Sequence, residues 1–561
     1  MLSLKQALHN HELIVLRVIG EWWELDLTGT EKLACVNILA DTLGAVDMQH
    51  EINFLGPEES FALLELVRAG GRMPVASFER ENGTVRHMGP GRLEREEPWL
   101  DPVSPAEALW YRGFLYRAFD ESEMSDLVEY YYLPNELFDQ FPKESQKADK
   151  PSDIKSTNFS RVDQPEEYIH ETTSAVDDIT TIIAVSQNSP IREEDLESIQ
   201  PLFLNPNLGR ASLLFTLARE LELLRTTEEG AKPSRKIISW LQINREESLR
   251  DLAETWSRSS WNELWATPGI VCEGSGWRND PLLARTAILD TLPREEGWYR
   301  ISDLVNFIRE EEPDFQRPDG NYDTWYIRDL ESGDYLAGFE NWNLVEGRLL
   351  RFLIQGPMVW LGLVETNITD DEDDYLFRLT PRALDWLEDR PVVAEEIEIP
   401  IVINSNGTIS VPFNANRYHR FQVARLSEAE PVKAGLPYEY RLTPQSLNRA
   451  SEQGVEPDRM LGFLEKASGR PLPASTKRGI QRWSERGTEA KLENVILLRV
   501  MEPEILEKLR SNPKTRDFIA ESMGELVVVV RQGKWQELLE ATAELGLLIE
   551  PDILDGIMRI D

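Results

Sequence analysis

One short pattern recurs along this chain and limits its fold more than any other feature. A strand-length apolar run ends at a proline that opens a helix. It occurs as Tyr131-Tyr132-Leu133-Pro134-Asn135-Glu136-Leu137 and again as Phe377-Arg378-Leu379-Thr380-Pro381-Arg382-Ala383-Leu384. A looser copy runs from Lys232-Pro233-Ser234 towards Trp240-Leu241, and Tyr440-Arg441-Leu442-Thr443-Pro444-Gln445-Ser446-Leu447 supplies another. Threonine before proline starts a helix well: its hydroxyl accepts from a first-turn amide, and proline lacks an amide where none is needed. Repetition of this kind predicts tandem modules.

The best-formed copy spans 280–390. Leu283, Ala287, Ile288 and Leu292 predict a first helix, and Ile301, Leu304, Val305 and Ile308 a second. A third helix is expected near 345–355, then a strand Met358–Val364, a tip Asn367–Asp374 and a strand Tyr375–Leu379. Three helices followed by a hairpin is the order of a winged helix. Residues 57–142 fit it too, with helices near 58–68, 73–81 and 105–112 and a hairpin over 114–133. A further copy, near 190–241, falls within a module at 166–279. Residues 143–165 are polar and rich in Lys, Ser and Asp, and read as a flexible linker.

Ahead of these modules, residues 1–56 read as a helical hairpin. Leu13, Leu16, Ile19 and Trp22 mark one helix, and Thr28-Gly29-Thr30 leads into a second bearing Leu33, Val36 and Leu39. With the extended Leu25-Asp26-Leu27 between them, they resemble the small SAP-type DNA-binding fold. Residues 391–561 form the last expected domain. The fold class is therefore α+β, with tandem winged-helix-like modules followed by a C-terminal α+β domain.

Charge decides where a polyanion can bind. The chain has 60 Lys and Arg against 99 Asp and Glu, a net charge of −39. That field repels nucleic acid and anionic membranes at long range, so any DNA contact needs a local basic surface. The two predicted wing tips are acidic: Asn367–Asp374 holds five carboxylates, and Glu121–Asp126 holds three. Wings that grip phosphates are basic, so these modules are expected to face proteins or to be architectural.

Residues 414–491 differ, with fourteen Lys and Arg against nine Asp and Glu. Their densest cluster, Pro473–Gly487, reads as a helix on which Arg478, Arg482 and Arg486 fall within about 80° of one another. Ile480 and Trp483 point elsewhere, towards the core. The candidate nucleic-acid-binding residues are Lys477, Arg478, Arg482 and Arg486, with Arg417 and Arg420 upstream. Such cations hold phosphates or a partner's carboxylates; a solvated helix face is the alternative.

The wider pattern of this region resembles the N-terminal domain of XPB-type DNA helicases, as found in bacterial helicase-associated proteins. The stretches that carry the resemblance are Val402–Pro412, Phe421–Pro431, Tyr440–Pro444, Met460–Pro473 and Val495–Val500. Alternating strands and helices follow at Val495–Val500, Pro503–Leu509, Leu526–Val530 and Trp535–Leu545. Gly89–Glu96 and Asp314–Gly338 look like that family's partner segments. The resemblance implies a DNA-repair or helicase-linked role, with single-stranded, forked or damaged DNA, or a helicase or repair protein, as partner.

No ATP motor accompanies it. The sequence has no GxxxxGK[ST] loop to cradle phosphates. The six histidines form no close ligand set, and His9 and His11 fall on different sides of a helix. Asp319, Asn321 and Asp323 imitate a calcium loop, but Thr324 and Leu330 stand where glycine and the closing carboxylate are needed. Ser275 in Gly274-Ser275-Gly276 is not a nucleophile elbow. Asp458 with Glu489 and Lys491 echoes a nuclease triad, yet Asp458 opens a helix instead of ending a strand.

The expectation is a non-enzyme without cofactor or metal. Cys35 and Cys272 read as buried thiols in a reducing compartment. No apolar run approaches membrane-spanning length, and the N-terminus does not read as a signal peptide, so the cytoplasm is the expected location. The competing expectation is an acidic protein-interaction or transcription-regulatory scaffold that never touches DNA.

Overall fold

The computed structural model describes residues 2–121, 127–142, 159–170, 172–371, 374–392, 396–491 and 495–551. The chain forms two compact units, Met1–Thr476 and Lys477–Asp561. It mixes helices with small antiparallel sheets, an α+β architecture.

The first unit opens with helices α1 (Leu4–Asn10), α2 (Leu13–Trp22) and α3 (Lys32–Gly44). Their periodicity buries Leu8, Leu16, Ile19, Val36 and Leu39, while Leu33 and Trp22 stay exposed. These side chains share one core with Leu63, Leu66, Leu109 and Tyr131, so residues 1–56 have no core separate from that of 57–142.

Over 57–142 the main elements are α4 (Pro57–Arg68), β1 (Arg72–Pro74), α5 (Val75–Asn82), α6 (Pro105–Arg112), β2 (Tyr116–Glu121) and β3 (Leu127–Tyr132), with a short helix Pro90–Glu96 inserted between α5 and α6 and a helical turn Asn135–Phe138 after β3. The sheet runs β1–β3–β2. The hairpin and its three helices lie where the sequence predicts them. The acidic tip at 122–126 and most of the expected linker lie outside the described residues.

The same path repeats twice. Next come β4 (Tyr168–Ile169), α7 (Ser174–Asn188), α8 (Leu196–Ile199), α9 (Leu208–Glu220) and the hairpin β5 (Leu224–Thr227) and β6 (Gly230–Pro233). Ile191, just after α7, bridges Ala231 of β6 and stands in for the first strand. Gly230 makes this approach possible, because a Cβ there would lie 2.9 Å from the Ile191 carbonyl oxygen. After α10 (Arg245–Ser257), the third copy runs α11 (Pro281–Thr291), β7 (Tyr299–Arg300), α12 (Ile301–Glu311), α13 (Arg348–Leu353), β8 (Val364–Asn367) and β9 (Leu376–Leu379). Its sheet order β7–β9–β8 is that of the first copy, with β4 added outside β8.

One strand is shorter than expected. Met358–Val364 reads as strand, but π-helical Ile354–Met358 carries the helix past Pro357, and Gly362, at φ 68°, ends it. Only Val364 onward pairs with β9. The helix after that hairpin, Pro381–Leu387, is capped by Thr380 Oγ1, which accepts from the Ala383 amide at 3.2 Å.

A four-stranded sheet, β10 (Val402–Ile403), β11 (Thr408–Val411), β13 (Tyr438–Arg441) and β12 (Glu428–Ala429) in that spatial order, completes the unit. With it go α14 (Arg417–Leu426), α15 (Pro444–Glu452), α16 (Pro457–Ser468) and the first residues of α17 (Ala474–Arg486). Thr443 Oγ1 caps α15 through the Ser446 amide at 3.0 Å.

The second unit has β14 (Ile496–Arg499), α18 (Pro503–Ser511), β15 (Ile519–Ser522), β16 (Val527–Val530) and α19 (Trp535–Glu544). Its sheet is β14–β16–β15, and Leu498, Leu506, Leu509, Val528, Val530 and Leu538 form a core of its own. Among the described residues no helix is long and apolar enough to cross a membrane.

Candidate nucleic-acid interface

The six cations singled out in the sequence separate into two groups. Arg417 and Arg420 are 2% exposed, and they do not join the others on a surface. On α14 they lie on the same face as Phe421 and Ala424, which a period of 3.6 residues brings together. Arg417 Nη2 donates to the Trp240 carbonyl at 2.9 Å, the Ile243 carbonyl at 2.7 Å and Ser248 Oγ at 2.8 Å. Burial, with the neighbouring Arg245 charge, pushes its pKa down to about 10.

Arg420 donates to the Asp177 carbonyl at 3.0 Å and to Thr181 Oγ1, and it stacks on Tyr438, 3.5 Å from the ring centre. Arg245 adds a two-pronged pair with the Asp177 carboxylate at 2.9 and 3.0 Å. A buried carboxylate needs such partners, and they in turn need it. The expected DNA role of Arg417 and Arg420 is therefore corrected: desolvation and internal hydrogen bonds tie them to α7 and α10.

The other four lie on α17. Its start is fixed by Ser475 Oγ, which donates to the Ser405 carbonyl at 2.7 Å, and Thr476 Oγ1, which donates to the Asn404 carbonyl at 3.0 Å. Ile480 is buried, whereas Lys477, Arg478, Arg482 and Arg486 are exposed, as the helical spacing predicts. Glu489, which the sequence reading did not connect to this helix, pairs with both Arg482 and Arg486. The hydrogen bond from Arg482 holds the Glu489 carboxyl below its ordinary range. Both arginines remain 60% or more exposed, so the pairs are weak and salt-sensitive.

A second cationic face escaped the sequence reading. On α16, Met460, Leu461 and Leu464 are buried, and Arg459 and Lys466 occupy the opposite, exposed side, with Arg470 just beyond the helix end. The signal was available in the spacing, but each cation stands beside an acid, Asp458 or Glu465, which hides it from a count of net charge.

The three helices that precede the hairpins are differently placed. Arg112 of α6 pairs with Glu59, Arg210 of α9 with buried Asp178, and Arg348 of α13 with Asp329 at 2.7 Å. Of the acidic tip between β8 and β9, Asp370 and Asp371 are exposed, Asp374 pairs with Arg300, and Glu372 and Asp373 lie outside the described residues.

Other chemistry finds little footing. Asp319 and Asn321 each accept from the backbone amide two residues on, those of Asn321 and Asp323, at 3.1 and 2.9 Å in a polar turn. Asp458 sits in the first turn of α16. Cys35 is buried but Cys272 is only half-buried, and burial pushes the Cys272 thiol up to about 12. No group of three or more His, Cys, Asp and Glu among the described residues is placed to hold a metal ion. A cavity of about 860 Å³ is lined by Ser174, Asn205, Trp360, Lys433, Asp177 and Arg245, of which the last two are already paired with each other.

No curated protein matches this chain. The family described as "Helicase conserved C-terminal domain" matches residues 401–523. These residues hold α14, α16 and α17 and nineteen Lys and Arg against fifteen Asp and Glu. The chain thus carries, in its C-terminal part, a helicase-associated domain.

Proposed function

We propose that this chain is a non-catalytic, helicase-associated accessory protein that contacts DNA, or docks on a motor supplied by another chain, through its C-terminal domain. The observation that carries this reading is the placement of charge. The stretch that resembles a helicase domain is net basic inside a chain of −39, and its cations stand exposed on α16 and α17. A local basic surface within an acidic molecule contacts phosphates at short range while the bulk field suppresses indiscriminate binding.

In this reading the C-terminal domain is of the XPB-type N-terminal kind, and the three repeated helix–hairpin units are winged helices. They are architectural or protein-facing, since Arg112, Arg210 and Arg348 of their third helices already hold internal carboxylates. The protein then works in DNA repair in the bacterial cytoplasm. A second reading, an acidic protein-interaction or regulatory scaffold without DNA contact, is favoured by one specific observation: Glu489 already occupies two of the α17 arginines.

Fluorescence anisotropy of labelled single-stranded, duplex and forked DNA against the whole chain, at low and near-physiological salt, separates the two. Salt-sensitive binding that weakens in the Arg478→Ala, Arg482→Ala, Arg486→Ala triple variant is expected. Absence of binding at low salt leaves the scaffold reading. Turnover of ATP above background removes the word non-catalytic.

A further inference from the structure

Glycine in the middle of a helix weakens it relative to alanine, and a chain keeps it there for a reason. At three helical glycines of this protein a near neighbour supplies one, whereas Gly44 and Gly91, close to helix ends, meet nothing. A Cβ on Gly20 would lie 2.5 Å from Leu27, one on Gly347 2.9 Å from Arg351, and one on Gly356 2.8 Å from Phe352. Gly462, at the centre of α16, is different: a Cβ there would meet nothing within 4 Å, and the residue is exposed.

Its neighbours on the surface are cations. Arg459 stands three residues before it and Lys466 four after, so all three fall within about 60° of one another around the helix. Asp458 and Glu465 lie to one side of this arc, and the buried Met460, Leu461 and Leu464 lie behind it. α17 repeats the combination. Gly479, again with nothing within 4 Å, lies at the edge of its cationic face, about 20° around the helix from Arg486 and about 60° from Arg482. A side chain removed between two long cations opens a seat for something that is itself anionic, narrow and in need of close approach to the helix backbone.

We infer that the Arg459–Gly462–Lys466 face of α16 is a seat for the sugar–phosphate backbone of DNA, with Gly462 letting the strand lie against the helix while the two cations hold successive phosphates. The inference rests on the DNA-contact reading above and deepens it by assigning the phosphate contacts on α16 to named residues. Arginine and lysine donate to phosphate oxygens without reading base edges, so the seat is blind to sequence.

The test uses the full chain with a labelled 40-nucleotide single strand and its duplex, titrated across a salt series. The Arg459→Ala, Lys466→Ala double variant is expected to bind about fivefold more weakly at low salt. The slope of log affinity against log salt should fall by about 1.4 for the single strand and 1.8 for the duplex. Gly462→Ala is expected to bind about threefold more weakly while its thermal midpoint holds or rises, opposite shifts that a damaged fold does not produce.

If the wild type binds and both variants match it in affinity and slope, the seat is overturned and the DNA-contact reading stands elsewhere on the molecule. Gly462→Ala losing stability and affinity together overturns the part given to the glycine. A wild type that binds no DNA at low salt overturns the seat and the DNA-contact reading at once.

Discussion

The Arg80 guanidinium on α5 and the Asp314 carboxylate, more than two hundred residues later, form a two-pronged ion pair, with Nη1–Oδ1 at 2.9 Å and Nη2–Oδ2 at 2.8 Å. Ser77 Oγ and the Tyr322 hydroxyl donate to the same carboxylate, at 2.7 and 2.8 Å, and Arg80 lies over the Phe339 ring. The pair ties the first repeat to the segment after α12 of the third. Removing one partner strands the other, so Asp314→Ala should cost about 2–3 kcal/mol in a urea titration.

At the same junction Gly320 adopts φ 66°, and a Cβ on it would lie 2.0 Å from Ser77 Oγ and 2.8 Å from the Ser77 nitrogen. Gly320→Ala therefore meets both backbone strain and a clash, and a loss of about 2 kcal/mol or more is expected. Hydrogen exchange should place the loosening around 77–80 and 314–322, with the sheet β10–β11–β13–β12 unaffected.

Arg420 holds α14 to α7. Arg420→Met keeps much of the side-chain volume but leaves the Asp177 carbonyl, Thr181 and Tyr440 without their donor. A loss of about 3–5 kcal/mol is expected by chemical denaturation. DNA affinity per folded molecule should not change, and a selective loss of affinity with intact stability would restore Arg420 to the interface.

His11 packs against Trp110 and Tyr116 in the N-terminal core, and burial, with the Lys32 charge, lowers its pKa from 6.5 to about 4. The fold holds it neutral, whereas the unfolded chain takes up the proton first. Its contribution is therefore complete above pH 6.5 and is lost as the pH falls from 6.5 towards 4, to a limit of about 3 kcal/mol. Urea midpoints at pH 7.5 and 4.5 should differ less in His11→Phe, which keeps an aromatic ring without a titrating group.

Glu489 pairs with Arg482 and Arg486, and on the DNA-contact reading phosphate would have to displace it. Glu489→Gln removes the competing charge, and DNA affinity at low salt should rise about two- to fivefold, with a steeper salt dependence. A fall in affinity would mean that the carboxylate positions the arginines and does not block them.

Much of this architecture could be read from short-range chemistry. Thr380-Pro381 and Thr443-Pro444 cap helices as their residues dictate, and Leu349–Ile354 marks α13. Pairings across distance were not readable. β1 has three residues, and the first strand of the second repeat reduces to Ile191 alone; neither carries an alternation long enough to register. Met358–Leu363 misled because β-branched and aromatic residues also suit a buried helix end, and the stop at Gly362 comes four residues later than the run suggests.

The candidate site was legible in proportion to its exposure. The α17 cations followed from helical spacing and an anchoring Ile480. Arg417 and Arg420 looked like the same kind of residue, although Phe421 and Ala424 on their face pointed inward. Their acceptors, Asp177 and the carbonyls of 240 and 243, are remote in sequence, and nothing local reveals them. The α16 face was concealed because Asp458 and Glu465 cancel its charge in any linear count while lying to one side in space.

The strand β16 has a practical consequence. β14 and β15 each pair with it and not with each other. The helicase-type match stops at residue 523, four residues short of it. A fragment cut at that edge would keep two outer strands and lose the middle one, exposing unpaired backbone on both and inviting aggregation. At the other end, the same stretch begins downstream of the Asp177 carboxylate that its buried arginines require. What sequence comparison recognises as one piece is therefore not a piece that can be lifted out, and dissection of this protein has to follow its cores.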